Sequence, residues 1–395
     1  MSNSEEKHEV EESEYKKQFR RLRDLEDLFA EYFEIEDWTG FRIILGVAAA
    51  HYIPGEMLWV KEIGASGSGK TELLRALLRS PKVTTVESVT PAAIRGGLIG
   101  GKKLLERLDG KLVITKDMAA MISARKDIRR EVFGLLRNVT DGFFSADFGT
   151  REGNVTQHAR FDWLLATTGV IDSERQIESL LGERFVDLRW RPGNRLEMTY
   201  LAVRNNPRLS KVIRPKLKEE VKTLMMHAQE LAKTDHRVSK DDSRFIAGLA
   251  DTIALCRTPV QIDSRTKNLI AMPTPEIGTR LAQSFSRIIL GLRLIGILKW
   301  QKYIERIAWD SIPSMRATIL RQLKEKPIRV KSISVKTRIP LSSVYAHLAQ
   351  LELLKVVEKV RPDHSEKDDY KIDLNEGQGG ELYRLKVELP DYPES

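Results

Sequence analysis

The chain has 395 residues, of which 41% are hydrophobic and 31% charged, and it carries a formal net charge of +9. Such a length and balance suit a globular protein with a sizeable core and two or three domains, and the positive excess favours a polyanionic partner over a merely solubilising surface. Cys256 is the only cysteine, which excludes an intramolecular disulfide and argues against a cysteine zinc site. The opening residues do not form a signal peptide, and no apolar run is long enough to span a membrane, so a cytoplasmic protein with no membrane partner is expected.

Residues 1–14 are acidic and polar and read as disordered. Phe19, Leu22, Leu25, Leu28, Phe29, Tyr32 and Phe33 then recur at helical spacing, and a second helix runs from Gly40 to Tyr52 with His51 in a structural position. Met57 to Ile63 is apolar enough to be a buried strand. After it, Gly64-Ala65-Ser66-Gly67-Ser68-Gly69-Lys70-Thr71 fits the phosphate-binding pattern G-x-x-x-x-G-K-[ST] at every fixed position. The glycines let the backbone curl so that its N–H groups face a phosphate chain, and the helix from Thr71 to Arg79 adds a favourable partial charge at its start. Lys70 is placed to reach the β- and γ-phosphates of ATP, and the Thr71 hydroxyl to hold Mg²⁺.

Val83 to Ser88 reads as a second strand, and Thr90-Pro91 as a helix start with Thr90 as N-cap. Arg95, Lys102 and Lys103 lie in a glycine-rich basic segment suited to DNA phosphates. Lys111 to Asp117 is an apolar strand ending on an acid, the Walker B pattern; the preceding P-loop favours that over an ordinary buried strand. A helix from Ile128 to Asn138 leads to a β-hairpin with arms Phe143–Phe148 and Val155–Ala159 and with Arg151 at its tip. Phe161 to Thr168 is a further buried strand, and Val186 to Trp190 a short one.

Residues 195–300 read as helical. From Met315 on, helices at Met315–Leu323, Ser334–Thr337 and Leu341–Leu353, followed by strands at Val356–Val360, Tyr370–Ile372 and Leu382–Val387, spell a winged helix-turn-helix. Its third helix would expose Ser343, Tyr345, His347 and Gln350 to duplex DNA, with Lys331, Lys336 and Arg338 charged for phosphates just before it.

The order of these pieces resembles AAA+ ATPases, and within them the minichromosome maintenance (MCM) helicases and their mobile-element relatives. The resemblance runs from about Trp38 to Trp190, weakens toward Ile297, and returns in the C-terminal unit. It implies an α/β fold: a P-loop AAA+ core of parallel sheet flanked by helices at 36–192, after a tail and helix at 1–35, then a helical lid and linker at 193–311 and the winged helix at 312–395. It also implies a ring, expected to be a hexamer, that hydrolyses ATP with Mg²⁺ and moves on single-stranded DNA. Asp117 would coordinate the metal, directly or through water, or polarise the attacking water. Thr167 or Thr168 sits at sensor 1, with Thr168 the candidate carried forward; Gly182-Glu183-Arg184-Phe185 resembles the segment bearing the arginine finger; Arg280 matches the sensor-2 arginine of the lid. Three features depart from the family: Lys116-Asp117 stands where Asp-Glu is usual, threonine stands where sensor 1 is usually asparagine, and the large N-terminal DNA-binding domain does not precede the core. The last points to a mobile-element, plasmid or viral version. The weakened Walker B keeps open an initiator or helicase loader that uses ATP as an assembly switch, and the winged helix keeps open a transcriptional regulator.

Overall fold

The computed structural model describes residues 2–95, 103–118, 121, 123–139, 143–147, 154–174, 184–234, 236–263, 265–266, 269–360 and 381–391. The chain divides into two units: residues 1–243 with 283–307, and residues 244–282 with 308–394.

The first unit opens with two helices, α1 (Ser2–Tyr32) and α2 (Trp38–Ala50). Helix α1 extends through the residues expected to be disordered. Low hydrophobicity does not preclude a helix there: the segment holds several glutamates and Lys7, good helix formers, and no glycine or proline before Tyr15. Strand β1 (Trp59–Ile63) then feeds α3 (Lys70–Ala76), β2 (Val83–Thr85), α4 (Pro91–Ile94), α5 (Leu104–Leu108) and β3 (Leu112–Thr115). Helix α6 (Lys126–Val139) and the antiparallel hairpin β4 (Phe143–Asp147) with β5 (Asn154–His158) precede β6 (Asp162–Thr167) and β7 (Phe185–Arg189).

Five of these strands form one parallel sheet in the order β2-β3-β6-β1-β7. A parallel sheet must be covered on both faces, and its strands are accordingly apolar and buried along most of their length. One face packs Trp59, Val113, Trp163, Leu165 and Phe185 with Ile94, Leu105, Leu108, Phe133 and Leu136 from α4, α5 and α6. Its two indole N–H groups are satisfied inside the core, Trp59 donating to the Phe161 carbonyl at 3.0 Å and Trp163 to the Thr115 hydroxyl at 3.0 Å. By strand alternation the other face carries Val60, Glu62, Leu164, Ala166, Val186 and Leu188.

Beyond β7 come α7 (Arg195–Arg208), a π-helical turn at Leu209–Ile213, and α8 (Arg214–Leu231), which packs against α1, α2 and α3. Pro207 inside α7 has no N–H to give the helical ladder, and the π turn follows directly. Helices α9 (Lys240–Arg257), α10 (Thr279–Leu294) and α11 (Gln301–Asp310) complete the helical stretch. Helix α10 approaches α2 closely at paired glycines: a Cβ at Gly291 would lie 1.9 Å from the Gly46 carbonyl oxygen.

Two buried acids lock the first unit. Asp37 accepts from Gly40 N at 2.8 Å, from Arg191 N at 3.0 Å and from both terminal nitrogens of Arg306, which also reaches the Arg189 carbonyl. Asp162, at the start of β6, accepts from Leu58 N at 2.7 Å and from Arg287 at 2.6 and 3.1 Å, with His51 Nδ1 at 2.8 Å. Arg287 also donates to the carbonyls of Ala50, Ile53 and Glu56. His51 is thus structural, as expected.

In the second unit, α12 (Ser314–Leu323), β8 (Ile328–Arg329), α13 (Val330–Thr337), α14 (Leu341–Leu353), β9 (Val357–Val360) and β10 (Leu382–Leu385) form three helices and a small antiparallel sheet in the order β8-β10-β9. The two-residue β8 is too short to carry a sequence signature, and the expected strand at Tyr370–Ile372 lies outside the described residues. Buried Arg316 on α12 donates to the carbonyls of Cys256 and Thr258 and to the Gln350 side chain.

Burial raises the Asp162 carboxyl, but the His51 hydrogen bond and the charge and hydrogen bonds of Arg287 outweigh it, and the group is held below the ordinary aspartate range. Its contribution to stability is therefore complete above about pH 3.9 and is lost as pH falls through the lower folded value. Arg287→Ala strands Asp162 in the interior and should cost about 3–5 kcal/mol, read as a lowered urea midpoint at neutral pH with unchanged slope. A midpoint equal to that of the parent would show that the clasp does not hold the sheet to α10.

Candidate functional site

In a parallel sheet the carboxyl ends of all strands share one edge, and ligands bind there. The order β3-β6-β1 sets three of the sequence candidates side by side on that edge: Asp117 beyond β3, Thr167 and Thr168 at the end of β6, and the loop Gly64–Gly69 beyond β1.

The loop is built as its glycines predict at 67 and 69, where φ is +76° and +85°. Both angles fall in the left-handed region that costs glycine nothing. Gly69 ends the loop as the N-cap of α3, and Glu72 N returns to its carbonyl at 2.9 Å. Gly64 is tightly placed for a different reason, since a Cβ there would lie 3.0 Å from the Trp190 side chain. Trp190 in turn donates its indole N–H to the Ser68 carbonyl at 2.8 Å, and Gly64 N donates to Thr167 O at 3.1 Å, so β6 and the end of β7 both brace the loop. Ala65 and Ser66 form its outer turn, with Ser68 N donating to Ala65 O at 3.3 Å.

Lys70 is buried and folded back over the loop, with Nζ 2.9 Å from the Ala65 carbonyl. Desolvation lowers its proton affinity, and the charges of Glu62 and Asp117 oppose that fall. Lys70 and Asp117, distant in sequence, are thus within electrostatic reach of each other. Asp117 is exposed, while Lys116 is turned toward Glu87, at 2.7 Å. Thr167 is buried with its hydroxyl lacking a hydrogen-bond partner, and Thr168 is half-buried at the edge. Thr71 and Asp117 offer a hydroxyl and a carboxylate, hard oxygen donors of the kind Mg²⁺ takes.

Beside the loop opens a cavity of about 400 Å³. Gly67–Glu72 form one end of it; Tyr32, Phe33 and Glu34 form one wall, and Met198, Leu201, Asn205, Asn206 and Leu209 the other. Asn205 fixes the walls to each other by donating to the Tyr32 carbonyl at 2.8 Å. A largely apolar cleft of this size with a few polar groups falls within the range of small-molecule sites. Glu72 at its rim is matched by Arg214 at 2.7 and 2.8 Å and by Arg75, and these outweigh burial to keep its carboxyl below the ordinary range.

The remaining candidates lie elsewhere. Arg184 immediately precedes β7, and Phe185 pairs with Trp59 at the start of β1, so Arg184 belongs to the amino-terminal edge of the sheet. A five-residue strand, roughly 15 Å long, separates that edge from its own chain's loop. Arg280 is exposed in the second unit near the start of α10. Arg95 pairs with Glu131 of α6, and Lys103 caps α5. Lys102 and Arg151 lie outside the described residues.

On the second unit, Lys336 and Arg338 are exposed, and Ser343 and Tyr345 on α14 are half-buried. His347 and Gln350 are half-buried like Ser343 and Tyr345, less open than expected because each is partly engaged. Val344, Leu348 and Leu351 set the buried stripe of α14, and 347 and 350 border it; His347 contacts Met315 and Gln350 accepts from Arg316.

Two features of the site escaped the sequence reading. The cleft is assembled from segments far apart in the chain, and no local pattern marks it. Glu62 does leave a signal in the sequence, a carboxylate beside Lys61 in a strand whose other residues are apolar. No protein-family model matches this chain, and a search of curated proteins finds no match to it either.

Proposed function

We propose that the chain is an ATP-hydrolysing, DNA-binding motor of the AAA+ class, resembling MCM helicases and working as a homo-oligomeric ring, a hexamer in this reading. The observation that carries the proposal is the loop Gly64–Thr71: it stands on the carboxyl edge of a parallel sheet, with left-handed Gly67 and Gly69, a buried Lys70 and a largely apolar cleft beside it.

In this reading the loop N–H groups and the start of α3 hold the phosphates of ATP. Lys70 leaves the Ala65 carbonyl to neutralise the β- and γ-phosphates, and the base lies between Tyr32–Phe33 and α7. Thr71 and Asp117 would hold Mg²⁺, which supplies charge neutralisation on the phosphates. Asp117, Thr167 and Thr168 face the γ-phosphate position and orient the attacking water. Arg184, on the far edge of the sheet from its own loop, would serve a neighbouring copy's nucleotide, which is why a ring is required. Arg280 would couple the helical segment to the nucleotide.

The three helices and small sheet of the second unit fit a winged helix-turn-helix that meets duplex DNA through Lys336, Arg338, Ser343 and Tyr345. Arg95, Lys102, Lys103 and the hairpin tip with Arg151 are proposed to meet single-stranded DNA in the ring. A second reading, ATP as the assembly switch of an initiator or loader, is favoured by one observation: Lys116, where the family carries an acid, is committed to Glu87, leaving Asp117 as the acid at the end of β3.

Lys70→Ala should abolish ATP hydrolysis and weaken nucleotide binding while leaving the circular dichroism spectrum unchanged; undiminished turnover in the purified variant would remove the proposal. Arg184→Ala should lose hydrolysis but keep binding. Mixing it with Lys70→Ala protein should restore activity, because a mixed ring contains interfaces joining an intact Lys70 to an intact Arg184. With subunit exchange verified by labelled protomers, a mixture no more active than its parts argues that the finger is not shared across subunits.

A further inference from the structure

We infer that Glu62 is a positioning residue for Lys70 whose protonation is tied to nucleotide binding: it is neutral when phosphates fill the loop, and when ionised it draws Lys70 away from them. The inference rests on the reading of Gly64–Thr71 as a nucleotide site.

Glu62 lies two residues before Gly64 and is wholly buried, and neither carboxyl oxygen has a hydrogen-bond partner. The hydroxyl of Ser68, inside the loop, is likewise buried without one. Strand alternation sends Lys61 to the opposite face, where it pairs with Asp187 at 3.1 Å and is spent. The strands flanking Glu62 present only Ala166 and Leu188 at its register. Two charged groups act on it: Lys70 from α3 and Asp37 from the turn before α2. Asp37 is already saturated by Arg306 and by the N–H groups of Gly40 and Arg191. Lys70 is therefore the cation that an ionised Glu62 would pull.

A carboxylate in such a place has no solvent and no hydrogen-bond donor, so burial pushes the carboxyl well above its ordinary range, and Lys70 only partly opposes this. With the acid neutral, the Lys70 ammonium is free of a competing anion. Arriving phosphates add negative charge and engage Lys70, so the acid binds its proton more tightly in the complex than in the free protein. The sign follows. Between the two values binding takes up a proton, and affinity falls as pH rises, by about tenfold for each unit by which nucleotide raises the acid.

The test is calorimetric titration of the full-length protein with a Mg²⁺-bound non-hydrolysable ATP analogue, from about pH 6 to 9, in buffers of low and high ionisation enthalpy. The parent should take up more protons than the analogue's own phosphate titration explains, and its affinity should fall more steeply with pH than that of Glu62→Gln. Coinciding profiles and proton counts in the two proteins overturn the inference while leaving the nucleotide site standing. If the variant does not fold, parent proton uptake equal to that of the analogue alone overturns it equally. Failure of the parent to bind at any pH refutes the nucleotide reading itself.

Discussion

The parallel pairing of β1 with β6 on one side and β7 on the other is the constraint on which the candidate site depends. Five register pairs on each flank fix the height at which β1 ends, and hence where the loop begins. The same pairings deliver the loop's braces: the Thr167 carbonyl from β6, and Trp190 from just past β7. Because β6 lies between β1 and β3, its terminal threonines fall between Lys70 and Asp117. A shift of one residue in either pairing would carry the apolar residues to the wrong face and move the braces off the loop together. The buried acids Asp37 and Asp162 hold opposite edges of this sheet to the helices α2, α10 and α11, and each also accepts from backbone N–H groups, which helps a buried charge to be tolerated.

Much of this was legible in the residues. Strands β1, β3 and β6 are apolar runs bounded by glycine, aspartate or polar clusters, and the loop's glycines sit where a phosphate-type turn needs positive φ. The hairpin β4–β5 announced itself through Asp141-Gly142 and two extended runs. Other features were not legible, each for a physical reason. Residues before Tyr15 are too polar to predict a core, yet helix α1 runs through them. On α14 the apolar residues 344, 348 and 351 leave their neighbours' exposure ambiguous, and only the contacts of His347 with Met315 and of Gln350 with Arg316 on α12 show that both are half-buried. The cleft joins residues 32–34 to 198–209, a juxtaposition set by tertiary packing alone.

The same separation explains why Glu62 is informative. A sequence builds a strand beneath a phosphate loop most cheaply with apolar side chains, and Val60, Ala166 and Leu188 follow that rule on this face. A carboxyl placed among them costs stability unless something draws on it, and the cation whose charge acts on it is Lys70. With Lys116 turned to Glu87, the acids among the described residues whose charge acts on Lys70 are an exposed Asp117 and a buried Glu62, a distribution unlike the paired acids the Walker B pattern usually supplies.

The central claim is that this loop hydrolyses ATP in the service of DNA. It is tested most directly by the steady-state ATPase rate of the full-length protein at fixed salt, with Mg²⁺, in the presence and absence of single-stranded DNA. The account predicts hydrolysis that rises several-fold when the DNA is added. Hydrolysis indifferent to DNA would contradict the motor, and absence of hydrolysis in both arms, from protein shown to be folded and assembled, would contradict the account as a whole.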